Sequence, residues 1–171
     1  MSRTDRLQTD MPERIAKLPK DDRGYPVTYI AAYIDGKPDL GIQDAAKVAS
    51  CIREWRCHVC GEKLDKLGYF IAYEPVPKRP RFLDPAIHRD CAIYSMKVCP
   101  YLANPTAKHR QSKALPTDKT DLGEVTGRSL KVVLIGTTGQ RTARIQGQAQ
   151  SHLSIVPVDI VTRESFDISK L

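Results

Sequence analysis

Two short runs carry the residue types and spacing that can do chemistry. Cys57-His58-Val59-Cys60-Gly61 places two thiols three positions apart, and after a 27-residue spacer His88-Arg89-Asp90-Cys91 offers an imidazole and a third thiol, again three apart. A C-x₂-C turn aims both sulfurs at one point. The glycine behind it permits a backbone that turns amide N–H groups toward the thiolates. On a helix, positions three apart share a face, so His88 and Cys91 would project together. The chemistry this predicts is one tetrahedral zinc held by Cys57, Cys60, His88 and Cys91. Four protein ligands fill the shell and leave no position for a reacting water, so the zinc reads as structural rather than catalytic. A redox C-x-x-C is the alternative, but it lacks the βαβ setting such motifs need.

The other two cysteines fall outside this set. Cys99 lies eight positions beyond Cys91, about 12 Å along a continuous helix and too far to share an ion. Cys51 sits beside Val48 and Trp55 on an apolar helical stripe, where a buried thiol packs as a small hydrophobe. His58 should point away from the ion. Neither a G-x-x-x-x-G-K phosphate loop, an H-E-x-x-H nor a G-x-S-x-G occurs, and the single asparagine, Asn104, argues against a His-Asn-His nuclease. An enzymatic role is therefore the less favoured class, and it would need His58, His88 or Cys99 in a pocket that the sequence does not reveal.

The elements that must position these residues can be read from periodicity. Tyr25–Ile34 is β-branched and aromatic and ends at Asp35-Gly36, a strong hairpin-turn signal. Asp44 caps a helix over 45–56, whose Trp55 would pin the knuckle to it. Within the spacer, Leu67–Tyr73 reads as a strand, Pro75-Val76-Pro77 as a break and Arg79–Leu83 as a short return. Asp84-Pro85 should open the helix bearing His88 and Cys91. Knuckle, hairpin and helix together give the layout of a treble-clef-like zinc module.

The predicted fold is thus α+β, with an N-terminal strand and helix before the module and a small antiparallel β-meander after it. Residues 1–20 read as a loose arm, 21–103 as the zinc-binding core, 104–128 as a linker or exposed loop and 129–171 as the meander. In the meander, strands at 129–135, 141–146 and 152–161 are separated first by a turn at Gly136-Thr137-Thr138-Gly139.

The order Asp22-Arg23-Gly24-Tyr25-Pro26-Val27, Asp35-Gly36-Lys37-Pro38-Asp39, Cys57-His58-Val59-Cys60-Gly61-Glu62-Lys63-Leu64, His88-Arg89-Asp90-Cys91-Ala92 and Cys99-Pro100-Tyr101-Leu102 resembles a family of small bacterial and phage-associated proteins with a zinc-finger-like centre. The likeness covers nearly half of the chain. His58 stands where members have an aromatic residue, and Val76-Pro77-Lys78 where they tend to have a further cysteine. The resemblance implies a fold and a metal site, and no reaction. It also draws attention to Asp35, Lys37 and Asp39, more polar than a hairpin turn requires, as a polar ligand or partner site beside the module. Otherwise they are the solvated charges of a turn.

Composition bounds the function class. With 171 residues, 41% hydrophobic and 27% charged, the chain suits one compact domain or two very small ones. No run approaches the roughly 18 apolar residues of a membrane helix. The first residues lack the apolar core of a signal peptide, so the expected compartment is the cytoplasm and the expected partners exclude membrane. A net charge of +7 is spread along the chain, heaviest after residue 103, with local clusters at Lys78-Arg79-Pro80-Arg81 and Lys108-His109-Arg110-Gln111-Ser112-Lys113. Basic clusters beside a zinc knuckle suit a binding or adaptor module that contacts nucleic acid through Lys78, Arg79, Arg81, Lys108 and Arg110. The alternative is a protein–protein interaction factor of a phage or mobile element that modulates a host protein.

Overall fold

The computed structural model describes residues 7, 10–103, 130–144 and 153–171. Their order is α1 (Glu13–Ala16), β1 (Ala31–Ile34), β2 (Lys37–Gln43), α2 (Ala45–Glu54), β3 (Gly68–Tyr73), α3 (Arg89–Val98), α4 (Pro100–Ala103), β4 (Lys131–Arg144) and β5 (Leu153–Asp167), closed by a 3₁₀ turn at Ile168–Lys170. The fold is mixed α/β with two small antiparallel sheets, β1-β2 and β3-β4-β5. Among the described residues no helix is long and apolar enough to cross a membrane.

The chain before the knuckle follows local chemistry closely. Asp35 and Gly36 both take positive φ, 50° and 76°, and pair Ile34 with Lys37 across a two-residue turn. The strand ahead of it is shorter than the apolar run suggests, beginning only at Ala31. Asp44 caps α2, its carboxylate accepting from the N–H groups of Ala46 at 2.9 Å and Lys47 at 3.1 Å. The helix stops at Trp55, whose left-handed backbone (φ 55°) turns the chain into the knuckle. The indole then donates to the Asp65 carbonyl at 3.0 Å and lies over Gly68, where a Cβ would stand 2.9 Å from the ring. Trp55 thereby clamps the loop after the knuckle against the start of β3.

Several expectations are corrected. The helix bearing Cys91 does not open at Asp84-Pro85. Ile87 exchanges both backbone hydrogen bonds with Tyr69, at 2.8 and 2.9 Å, so this stretch covers the free edge of β3 and the helix starts at Arg89 with His88 as its N-cap. Residues 79–83 form no strand. β3 pairs instead with β4, and Phe82 bridges Ile155 on β5. The C-terminal strands are therefore not a meander of their own but a long hairpin added to β3.

Gly136-Thr137-Thr138-Gly139 is not a turn. It lies inside the continuous strand β4, at a slip in register against β5. A Cβ on Gly136 would collide with the Thr162 hydroxyl, so that glycine permits close approach of the two strands, while Thr137 Oγ1 donates across the slip to the Val158 carbonyl. Pro157 sits on β5, an edge strand, where its missing N–H costs no ladder bond. Residues 12–17, expected to be loose, are packed: Ile15 is 1% exposed. The expected linker at 104–128, the basic cluster Lys108-His109-Arg110 and the residues around 145–152 lie outside the described residues.

One core serves both halves. Val59, Leu64, Phe70, Ala86, Ile87, Ala92 and Met96 pack with Val132, Leu134, Ile135 and Ile155 from the C-terminal hairpin. Gln140 ties the halves further, accepting from Ala86 N–H at 2.8 Å and donating to the Cys51 carbonyl at 3.1 Å. Leu134→Ala, at a site with no exposure, should therefore cost about 2–5 kcal/mol. Chemical denaturation followed by Trp55 fluorescence, which reports the knuckle side, should shift with it; a fluorescence midpoint unchanged from the parent would mean that the hairpin and the knuckle unfold separately.

Candidate metal centre

Each half of the centre is built by backbone bonds. The knuckle is a tight loop in which Cys57 N–H donates to Glu62 O and Gly61 N–H to Cys57 O, both at 2.9 Å. Gly61 has φ 78°, and a Cβ there would meet the Tyr29 ring at 2.6 Å, so both backbone and space require glycine. Tyr29 N–H in turn donates to Val59 O at 2.8 Å and Ile30 N–H to His58 O at 3.3 Å, lashing the knuckle to the segment before β1. The second half is the first turn of α3, with His88 at the N-cap and Cys91 three positions on.

These halves bring Cys57, Cys60, His88 and Cys91 together, with one ligand atom from each lying within 4.8 Å of all the others. Cys57 and Cys91 are buried, His88 is 3% exposed and Cys60 is half-buried. Cys60 Sγ is 3.4 Å from His88 Nδ1. An ion about 2.3 Å from sulfur and about 2.0–2.1 Å from nitrogen, in tetrahedral geometry, holds such neighbours roughly 3.5–3.8 Å apart. The outer contacts fit as well. His88 Nε2–H donates to the Lys63 carbonyl at 2.9 Å, which leaves the Nδ1 lone pair facing the sulfurs, and Cys60 N–H reaches Cys57 Sγ at 3.5 Å. Four such residues can coordinate one metal ion.

The same closeness couples the protonation of the thiols. Burial opposes a charge on Cys57, but bonds from Cys60 and Cys91 outweigh it and lower its pKa. Cys91, donor in that arrangement, is pushed up by its bonds to Cys57 and Cys60 and by burial. Burial disfavours charged His88, yet its bond to Cys60 raises its pKa above the ordinary value. A metal must displace these protons, so binding weakens as pH falls.

Other expected site residues are placed as follows. Cys99 follows the last residue of α3 and is not in the cluster. His58 is half-buried, its Nδ1 against the Pro85 carbonyl, outside the ligand set. Lys78 and Arg79 are exposed, and Arg81 donates to Ser154 Oγ on β5 at 3.0 Å. Lys108 and Arg110 lie outside the described residues. Asp35 and Lys37 are exposed at the β1-β2 turn, whereas Asp39 accepts from Gly41 N–H at 2.8 Å, the role of a turn residue. The Lys63 carbonyl, which orients His88, and Arg14, which pairs with Glu62 and Asp90 beside the donors, left no trace in residue types. A carbonyl is common to every residue, and Arg14 lies more than forty positions from the knuckle.

No family model, no curated protein and no solved structure matches this chain.

Cys51, a residue of α2, is fully buried, and burial pushes its thiol up to about 12 from an ordinary 9. A raised folded-state pKa stabilises the fold below about pH 9 and loses that contribution as pH climbs toward 12. Iodoacetamide at pH 8 should therefore leave Cys51 unmodified in the folded protein and label it only after denaturation, as read by peptide mass mapping. Labelling of native Cys51 at the rate of a free thiol would contradict the burial.

Proposed function

We propose that this protein is a small zinc-binding module of treble-clef-like plan in which Cys57, Cys60, His88 and Cys91 hold one structural zinc, and that it serves as a binding or adaptor module in the cytoplasm. The observation that carries the reading is the convergence of four donors, His88 being oriented by the Lys63 carbonyl. Bound there, zinc supplies a four-armed cross-link between the knuckle and α3. A shell completed by four protein donors supports a structural role. In this plan β4 stands where a returning strand from the spacer was expected. Metal analysis of the purified protein should find about one zinc per chain, and Cys60→Ser should hold none; a full zinc complement in that variant would remove the site.

The partner we favour is nucleic acid. The chain carries +7, and Lys78 and Arg79 stand exposed on the loop after β3, with Arg81 and, further on, Lys108 and Arg110 extending the set. A protein partner is the second reading, supported by the exposed apolar side chains of Leu83 (59%) and Val161 (57%), and it includes the case of a mobile-element factor acting on a host protein. Titration of a labelled duplex and a labelled single strand separates the two. The Lys78→Ala/Arg79→Ala double variant should bind more weakly and lower the slope of log K against log salt by about 0.7–0.9 per lost phosphate contact. Binding that is absent, or indifferent to salt, would leave the protein partner ahead.

A further inference from the structure

The short helix α1 has no role in ligating the metal, yet it is seated against the centre. Ile15 is 1% exposed, and its neighbour Arg14, with 27% of its side chain exposed, reaches both arms of the site. Its Nε lies 3.1 Å from Asp90 Oδ2 and its Nη1 3.4 Å from Glu62 Oε2. Glu62 stands two positions after Cys60 and Asp90 one before Cys91, so one guanidinium spans the acids that flank a ligand on the knuckle and a ligand on α3. Burial works against its charge, but Asp90, Cys91, Cys60 and Glu62 all draw on it.

Charge counting shows what such a cation is for. Three thiolates, a neutral imidazole and one divalent ion leave the centre with a net charge of about −1. Glu62 and Asp90 add two further negative charges at its rim. Without a cation between them these groups repel, and the repulsion is relieved when a thiolate takes up a proton or leaves the metal.

We propose that Arg14 is the positioning residue that retains the metal: it bridges Glu62 and Asp90, offsets the negative charge of the Cys₃His centre and makes α1 a strap that slows metal release. This rests on the zinc reading above. The strap is anchored elsewhere too, by Tyr94 Oη–H donating to the Leu7 carbonyl at 2.7 Å and by Lys97 paired with Asp10 at 3.1 Å. The N-terminal segment is thus tied to the helix that carries Cys91. Partners bonded directly to the ligands alter metal affinity by about 10–100-fold, and Arg14, one residue further out, is expected at the lower end of that range.

The test follows release of zinc from the loaded full-length protein into an excess of a chromogenic chelator. Arg14→Gln should release zinc about 10-fold faster than the parent, and Arg14→Lys, which keeps the charge without the fork, should fall between. Because the effect is electrostatic, the ratio of Arg14→Gln to parent rates should shrink toward one as salt rises to about 1 M, where the Debye length is about 3 Å. Ile15→Ala loosens the helix but keeps the guanidinium, and its ratio to the parent should not depend on salt. Release from Arg14→Gln at the parent rate, or faster release that is as insensitive to salt as that of Ile15→Ala, would overturn the proposal. A parent that carries no zinc on metal analysis overturns the zinc reading itself, and this proposal with it, before chelator is added.

Discussion

Everything in the centre depends on one distance constraint: the knuckle and the first turn of α3 must lie close enough for four donors to meet within 4.8 Å. Neither element can secure this alone. Backbone bonds from Tyr29 and Ile30 hold the knuckle from one side, Trp55 clamps the loop behind it, and the exchange between Ile87 and Tyr69 fixes the approach to His88 from the other. β3 is the common reference, because both Trp55, through Gly68, and Ile87, through Tyr69, are measured against it. A metal joining such pre-placed halves has little chain entropy left to remove, so its binding energy is kept for stabilising the fold.

β3 is in turn held by residues about sixty to seventy positions downstream. Among the described residues its one strand partner is β4, and β4 brings Val132, Leu134 and Ile135 into the core with β5 behind them. The C-terminal hairpin is thus part of the support for the centre. This coupling explains why a chain whose ligands are confined to 57–91 spends a long hairpin far from them.

The four clustered donors were legible because coordination constrains residue type directly: sulfur and imidazole at set spacing have few other uses. Caps and turns were legible for a similar reason, as at Asp44 and Asp35-Gly36, where a side chain or a positive φ does a local task. What could not be read was the pairing of β3, since a returning strand at 79–83 and a distant partner at 132–137 satisfy the same pattern of alternation. The glycines of β4 misled in the same way. Glycine signals either a turn or close approach, and only the position of Thr162 opposite Gly136 decides between them. The start of α3 failed because Asp84-Pro85 is a sound local signal overruled by backbone bonds to a strand edge.

The outer margin of β5 carries a further consequence. Ile155 has spent both its backbone groups on Phe82, Pro157 has no N–H to give, and Asp159 takes a left-handed conformation (φ 51°) that no straight neighbour can follow. These alternate positions would supply the outward-facing hydrogen bonds of the distal half of the strand. With each one disabled by a different means, another chain cannot zip along that margin, and the three-stranded sheet ends there by construction.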